Sequence, residues 1–252
     1  MLKTNLFTLG IILILSCTAV DVPRSNSKPI THDLWTELLQ SHVSDDGMVD
    51  YQGFVKDREK FEKYLSLLSA NHPNEKNWTY DERKAYWINA YNAFTVKLIL
   101  DHYPVNSIKD IGGSIYKVNT AWDIRFIVIE GQDYDLNNIE HDILRKKYAD
   151  PRIHFAVNCA SISCPKLLNE AFTAHDLEIQ LDDAGRRFIN DKTKNRITPE
   201  KLELSRIFKW FKGDFTKETS LIEFLNRYST VKIQEDACID YLDYDWNLNE
   251  RK

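Results

Sequence analysis

The sequence predicts an α+β fold, a helix-rich single domain around a buried central helix and a small, mainly antiparallel sheet. The run from about Thr79 to His102 is apolar on nearly every side, through Tyr86, Trp87, Ile88, Tyr91, Phe94, Val96, Leu98 and Ile99, as befits a central helix. Short extended pieces at Trp122–Ile129 and Tyr134–Leu136 flank Glu130-Gly131-Gln132-Asp133, which reads as a hairpin tip. Helix-length apolar stripes recur on either side, and helices mixed with short local strands define the α+β class.

The elements follow in order. Thr31 stands where it can cap a helix carrying Leu34, Trp35, Leu38 and Leu39. Asp46-Gly47 is a turn before an extended piece, Met48–Tyr51, and Phe61, Tyr64, Leu65 and Leu68 make a second stripe. Asp81 and Glu82 favour the start of the central helix, and Pro104 ends it. A helix is expected from about Asn138 to Tyr148, with Glu140 as a capping-box residue, and then a short strand over Ile153–Val157. Further helices are expected at about Asp176–Asn190, Arg206–Phe211 and Thr216–Tyr228.

The leader bears on location. Lys3 precedes an apolar run, Leu6–Leu15, that is short for a bilayer span, and Ile14-Leu15-Ser16-Cys17 reads as a lipobox. The expected organisation is a signal peptide over 1–16, a lipidated polar tether over 17–30 and a globular domain over 31–252. A lipidated Cys17 implies membrane anchoring in the cell envelope. Thr18 after it points to the periplasmic face of the outer membrane. An ordinary secretory signal is the alternative reading. The net charge of −5 is spread without a basic block, which excludes nucleic-acid binding through phosphate neutralisation. No repeat or low-complexity tract appears, and no residue pattern asks for a cofactor.

Reactive groups concentrate in Arg152–Pro165, RIHFAVNCASISCP. With Cys17 lipidated, Cys159, Cys164 and Cys238 remain in a compartment that permits disulfides, and they cannot all pair within one chain. The segment is therefore a thiol site or a stapled loop. If Ile153–Cys159 is one strand, His154 and Asn158 share a face while Cys159 points with the core, and His154 lies roughly 16 Å from Cys159. Cys164 would cap a helix begun by Pro165, where backbone amides favour a thiolate. On that reading Cys164 is the candidate nucleophile, His141 the base and Asn158 the group that orients it. Asn89 and Asn92, three apart on the central helix, are either substrate-contacting amides or a structural network, and His154 is a candidate substrate contact. The spacing of His154, Cys159 and Cys164 is unlike that of zinc-ligand pairs, so no metal is expected. Trp122, Tyr244 and Trp246 read as core or corner residues.

AYWINAYNAFTVKLIL at 85–100, IEHDILR at 139–145, RIHFAVNCASISCPKL at 152–167 and YLDYDWNLN at 241–249 together resemble the bacterial DUF547 family over most of the chain. The resemblance implies a domain without an assigned reaction and, through the family's grouping on fold grounds, a relation to papain-like and transglutaminase-like cysteine enzymes. Those enzymes carry their Cys on the buried helix, where this chain has Asn89 and Asn92. Two functions compete. One is a lipid-anchored binding or scaffold module with an unknown envelope ligand or protein partner; the other is a thiol-dependent hydrolase or acyltransferase acting on an amide or ester. A metal-dependent hydrolase ranks third.

Overall fold

The computed structural model describes residues 25–112 and 120–251. The expected signal peptide and Cys17 lie outside them. Among the described residues no helix is long and apolar enough to cross a membrane.

Helices α1 (Asp33–His42), α2 (Tyr51–Lys56) and α3 (Arg58–Ser69) pack on one another and, through α2 and α3, on the central helix α4 (Tyr80–His102). Helix α4 starts at a full capping box, in which Thr79 Oγ1 accepts the Glu82 N–H and the Glu82 carboxylate accepts the Thr79 N–H. Every residue from 84 to 96 is buried, so the helix runs through the core with no solvent face. Even Lys84 is only 2% exposed, and it is kept there by Asp150 at 2.5 Å. Upstream, burial pushes His32 down to about 4, and the neutral ring accepts the Tyr64 hydroxyl at 2.8 Å.

A two-residue turn, Glu130 and Gly131 with φ of 46° and 76°, joins β1 (Ile127–Ile129) to β2 (Gln132–Tyr134) in the expected antiparallel hairpin. Positive φ at both central positions matches the right-handed twist of the strands. A π-helix, Asn138–Tyr148, then lies along α4. The second sheet is mixed rather than antiparallel: β3 (Arg196–Ile197) pairs antiparallel with β4 (Lys201–Leu204), which pairs parallel with β5 (Cys238–Tyr241). A parallel partner needs a crossover, and the intervening chain supplies one.

Several expectations are corrected. Ile153–Ala156 is a short helix, α5, not a strand. A buried apolar run has no face to distinguish the two periods, and the turn is set upstream, where the Asp150 side chain accepts the Arg152 N–H at 2.9 Å. No helix follows Cys164-Pro165, because the Pro165 carbonyl is taken by the Asn158 amide at 2.7 Å. Helix α6 (Leu177–Asn190) is as expected, but the stretch after it breaks into α7 (Ile207–Trp210), α8 (Lys212–Phe215) and α9 (Leu221–Asn226). The Ser220–Glu223 capping box starts α9 later than the apolar pattern suggested. Val49 forms only isolated bridges, and a 3-10 turn at Ala121–Asp123 shortens the strand expected there.

Two apolar clusters fill the interior. The larger surrounds α4; the smaller is a set of rings in which Phe155 meets Phe188, Phe208, Phe215 and Phe224. Helix α5 joins them, since Ile153 and Ala156 belong to the first and Phe155 to the second. The reactive segment therefore leaves the seam between the clusters.

Candidate functional site

A cavity of about 200 Å³ opens at that seam. Its walls combine aromatic rings, among them Tyr91, Trp122, Trp210, Phe211, Tyr244 and Trp246, with Glu140, His141, His154, Cys159 and Cys164. These side chains come from α4, the 3-10 turn Ala121–Asp123, the π-helix, α5, the cysteine loop after it, the end of α7 and the C-terminal segment.

The carboxy-terminal aromatics are held against the cysteine loop by backbone bonds. Ile162 N–H donates to Asn247 O at 2.8 Å, and Ser163 N–H donates to Asp245 O at 3.1 Å. Tyr244 and Trp246 lie 4.5 Å apart, and Trp210 packs 4.8 Å from Tyr244. Trp210 is 45% exposed and so forms the rim. Trp122, Tyr244 and Trp246 pack half-buried at the edges of the two clusters, as expected of core or corner residues, and they also line the cavity.

His154 is the best-placed titratable group. Its Nε2 faces Asp214 Oδ2 at 2.7 Å, its ring stacks 3.9 Å from Phe211, and its buried Nδ1 has no hydrogen-bond partner. Facing a carboxylate, Nε2 carries the proton, which leaves Nδ1 as the free nitrogen of a ring that lines the cavity. Asp214 also binds Arg145 through two bonds, of 2.6 and 3.0 Å. Burial pushes the Asp214 carboxyl up, but the His154 and Arg145 hydrogen bonds and charges outweigh it and hold it well below the usual carboxylate range. Sequence reasoning missed Asp214. Nothing in Lys212–Phe215 singles it out, because its partners lie on other helices.

Glu140 is not a helix cap. The π-helix is started by Asp135, whose carboxylate accepts the Asn138 N–H at 2.7 Å, and Glu140 is buried, accepting the Tyr91 hydroxyl at 3.0 Å. Trp122 Nε1 in turn donates to Tyr91 at 3.3 Å. Burial, first, and the Glu140 charge push Tyr91 well above its ordinary value, so it remains a donor. His141 does line the cavity, but its Nδ1 accepts Arg145 Nη1 at 3.0 Å. It therefore offers an Nε2–H donor rather than a lone pair, which argues against its role as base.

The cysteines reverse the expected arrangement. Cys159 and Cys164 form a disulfide with their Cα atoms 6.1 Å apart, so Cys164 is not a free nucleophile in this structure. Cys164 is 5% exposed, whereas Cys159 is partly accessible, the opposite of the strand-parity reading, which failed with the strand itself. Cys238, the remaining described thiol, is exposed and unpaired on β5. Cys159 Sγ sits 3.3 Å from both the Ser161 and the Tyr244 hydroxyls, and the Cys159 N–H points at Cys164 Sγ from 2.8 Å.

The asparagines prove structural. Asn158 does not orient an imidazole: its amide donates to Pro165 O and accepts the Ala160 N–H at 2.9 Å, closing the loop. Asn92 accepts the Asn158 N–H at 2.8 Å and donates to Ala156 O at 2.9 Å; Asn89 does the same for Phe172 N–H and O, at 3.0 and 2.7 Å. Asn89 and Asn92 are buried, and neither lines the cavity. They act as pegs between α4 and the loops. Among the described residues no cluster of His, Cys, Asp and Glu could hold a metal ion.

The sequence pattern of a family described as "Protein of unknown function, DUF547" matches residues 75–189. No curated protein and no solved structure matches, and the relation to papain-like enzymes gains no support. The matched stretch carries Tyr91, Glu140, His141, His154 and both disulfide cysteines; Asp214, Trp210, Tyr244 and Trp246 come from beyond it.

Proposed function

From the match of residues 75–189 to the DUF547 family pattern we propose that the chain is a lipid-anchored cell-envelope binding module whose aromatic cavity takes one ring-sized ligand. The observation that carries this reading is the wall itself, six aromatic rings interleaved with Glu140 and His154. A dry apolar cavity of about 150 Å³ accommodates benzene, so about 200 Å³ suits a sugar ring or an aromatic group. Glu140 and His154 both accept hydrogen bonds, which selects a ligand that brings donors, such as hydroxyls or an amine.

Tryptophan emission tests it. Glucose, N-acetylglucosamine and tyramine serve as ring-sized probes at millimolar concentration. At least one should shift or quench the emission saturably, and Trp210→Ala, at the exposed rim, should weaken that response about tenfold, as expected when a stacking ring worth about 1–1.5 kcal/mol is lost. A flat response to all three would sink the assignment. The anchor is tested separately: Cys17→Ser should move the protein from the membrane to the soluble fraction, since single-residue lipidation is what holds it. Unchanged membrane recovery would refute a lipid anchor at Cys17.

A second reading, the thiol-dependent hydrolase or acyltransferase, is favoured by one arrangement: His154, bonded to Asp214, lines the same cavity as Cys159. It would need the disulfide opened first. Its base would be His154 rather than His141, and its nucleophile the accessible Cys159 rather than Cys164.

A further inference from the structure

Structural disulfides are commonly shielded, and the pair Cys159–Cys164 is not: both residues line the cavity, and one sulfur belongs to a partly accessible residue. We propose that this disulfide is a thiol-exchange site that reacts with a low-molecular-weight thiol entering the cavity. The inference goes beyond ligand binding and does not depend on it, because it uses the sulfurs themselves.

The surroundings assign the two sulfurs different roles. In exchange, a thiolate attacks one sulfur in line and expels the other, and the expelled sulfur departs more easily when its negative charge is stabilised. Cys164 is 5% exposed and receives the Cys159 N–H at 2.8 Å, so it is the shielded, charge-stabilised leaving group. Cys159 is the sulfur an incoming thiolate can reach. His154, held by Asp214, lines the same cavity.

The chemistry closes on itself. A thiol RSH gives its proton to a base, and RS⁻ forms a bond to Cys159 Sγ as the Cys159–Cys164 bond breaks, leaving Cys164 as a thiolate. A second RS⁻ then attacks the mixed disulfide, releasing RSSR and the Cys159 thiolate. Two thiols have been oxidised by two electrons in total, and the protein disulfide has been reduced to two thiols. The reverse sequence, with RSSR as oxidant, regenerates the disulfide. In the second step charge develops on Cys159 Sγ, where the Ser161 and Tyr244 hydroxyls lie within 3.3 Å. Desolvation of the Tyr244 hydroxyl raises its pKa and keeps it a donor. The cavity, at about 200 Å³, admits the end of a small thiol and not a folded protein.

The test uses the full-length chain in detergent with Cys238→Ser, which removes the exposed thiol. The protein is mixed with millimolar reduced glutathione at neutral pH, quenched in acid, alkylated and mapped by mass spectrometry. The proposal expects glutathione on Cys159 and alkylation on Cys164 in the native chain. Tyr244→Phe should slow the loss of the adduct to a second thiol by about threefold to tenfold, the effect of one lost hydrogen bond to a thiolate. In chains that keep only one of the two cavity cysteines, Cys164→Ser should take up glutathione from its disulfide at Cys159 about tenfold faster than Cys159→Ser does at Cys164, because of accessibility. Should either fail to fold, the mapping in the native chain decides alone. A disulfide that opens only in denaturant, or glutathione found on Cys164, overturns the assignment and makes the bond a staple.

Discussion

Asn92→Leu is expected to destabilise the protein by about 3 kcal/mol or more, although leucine fits a buried helix better by every measure of propensity. The amide holds the Asn158 N–H and the Ala156 carbonyl, both in the buried segment that leads from α5 into the cysteine loop. Leucine would leave these two backbone groups without partners in a dry site, at about 1–3 kcal/mol each. The measurement is equilibrium denaturation in urea, where the midpoint should fall with the slope unchanged. The same variant should lose the tryptophan response to ring-sized probes, because the loop it tethers carries one wall of the cavity. A loss below about 1 kcal/mol would show that these bonds contribute little to the folded state.

Asp214→Ala is expected to cost about 3 kcal/mol near neutral pH, for a different reason. Asp214 is the shared acceptor of Arg145 and His154, and removing it strands a His side chain that is 1% exposed beside an Arg that is 29% exposed. Water reaching Arg145 relieves part of the penalty, which places the value at the lower end for a broken buried pair. The pH dependence carries a definite sign. The folded-state pKa of Asp214 is depressed, so its contribution is complete above the unfolded value of about 3.9 and is lost as pH falls below that towards the depressed folded value. The wild type should therefore lose stability more steeply than Asp214→Ala on acidification below about pH 4. Parallel stability curves for the two proteins through that range would refute the ion-paired carboxylate.

The elements differ in how far the chain announces them. Helix α4 was legible because its signals agree: a capping box at Thr79 and Glu82, sustained apolar character and Pro104 beyond its end. The hairpin was legible from a glycine-containing polar break between two apolar runs, but its tip is shorter than the expected Glu130–Asp133, since Gln132 and Asp133 belong to β2. Helix α5 was not. Its residues are buried on all sides, so hydrophobic period could not separate four residues of helix from a strand. That error sent Cys159 to the core by strand parity, and a separate one, reading Pro165 as the first residue of a helix, put Cys164 at a cap that does not form.

The site divides the same way. Residue chemistry alone marked His141, His154, Cys159 and Cys164, and all of them line the cavity. Their roles came from elsewhere in the chain. Arg145 turns His141 into a donor, Asp214 frees Nδ1 of His154, and Tyr91 takes Glu140 out of the capping position. The polar pegs Asn89 and Asn92 were visible as buried amides, but which loops they hold was not.

The sequence by itself determined the helix-rich α+β class, the family and the crowded segment from Arg152 to Pro165, because caps, turn residues and apolar period are local properties of the chain. Only the tertiary structure decided that the cysteines pair, that Asp214 rather than Asn158 orients a histidine, and that Trp210, Tyr244 and Trp246 complete the wall. Each of the last two is a contact between residues dozens of positions apart, and the first reverses an exposure that a local rule had assigned. A hydrogen bond or a shared cavity forms between neighbours in space, and which neighbours meet is settled by how two apolar clusters close over α5, not by any spacing along the chain.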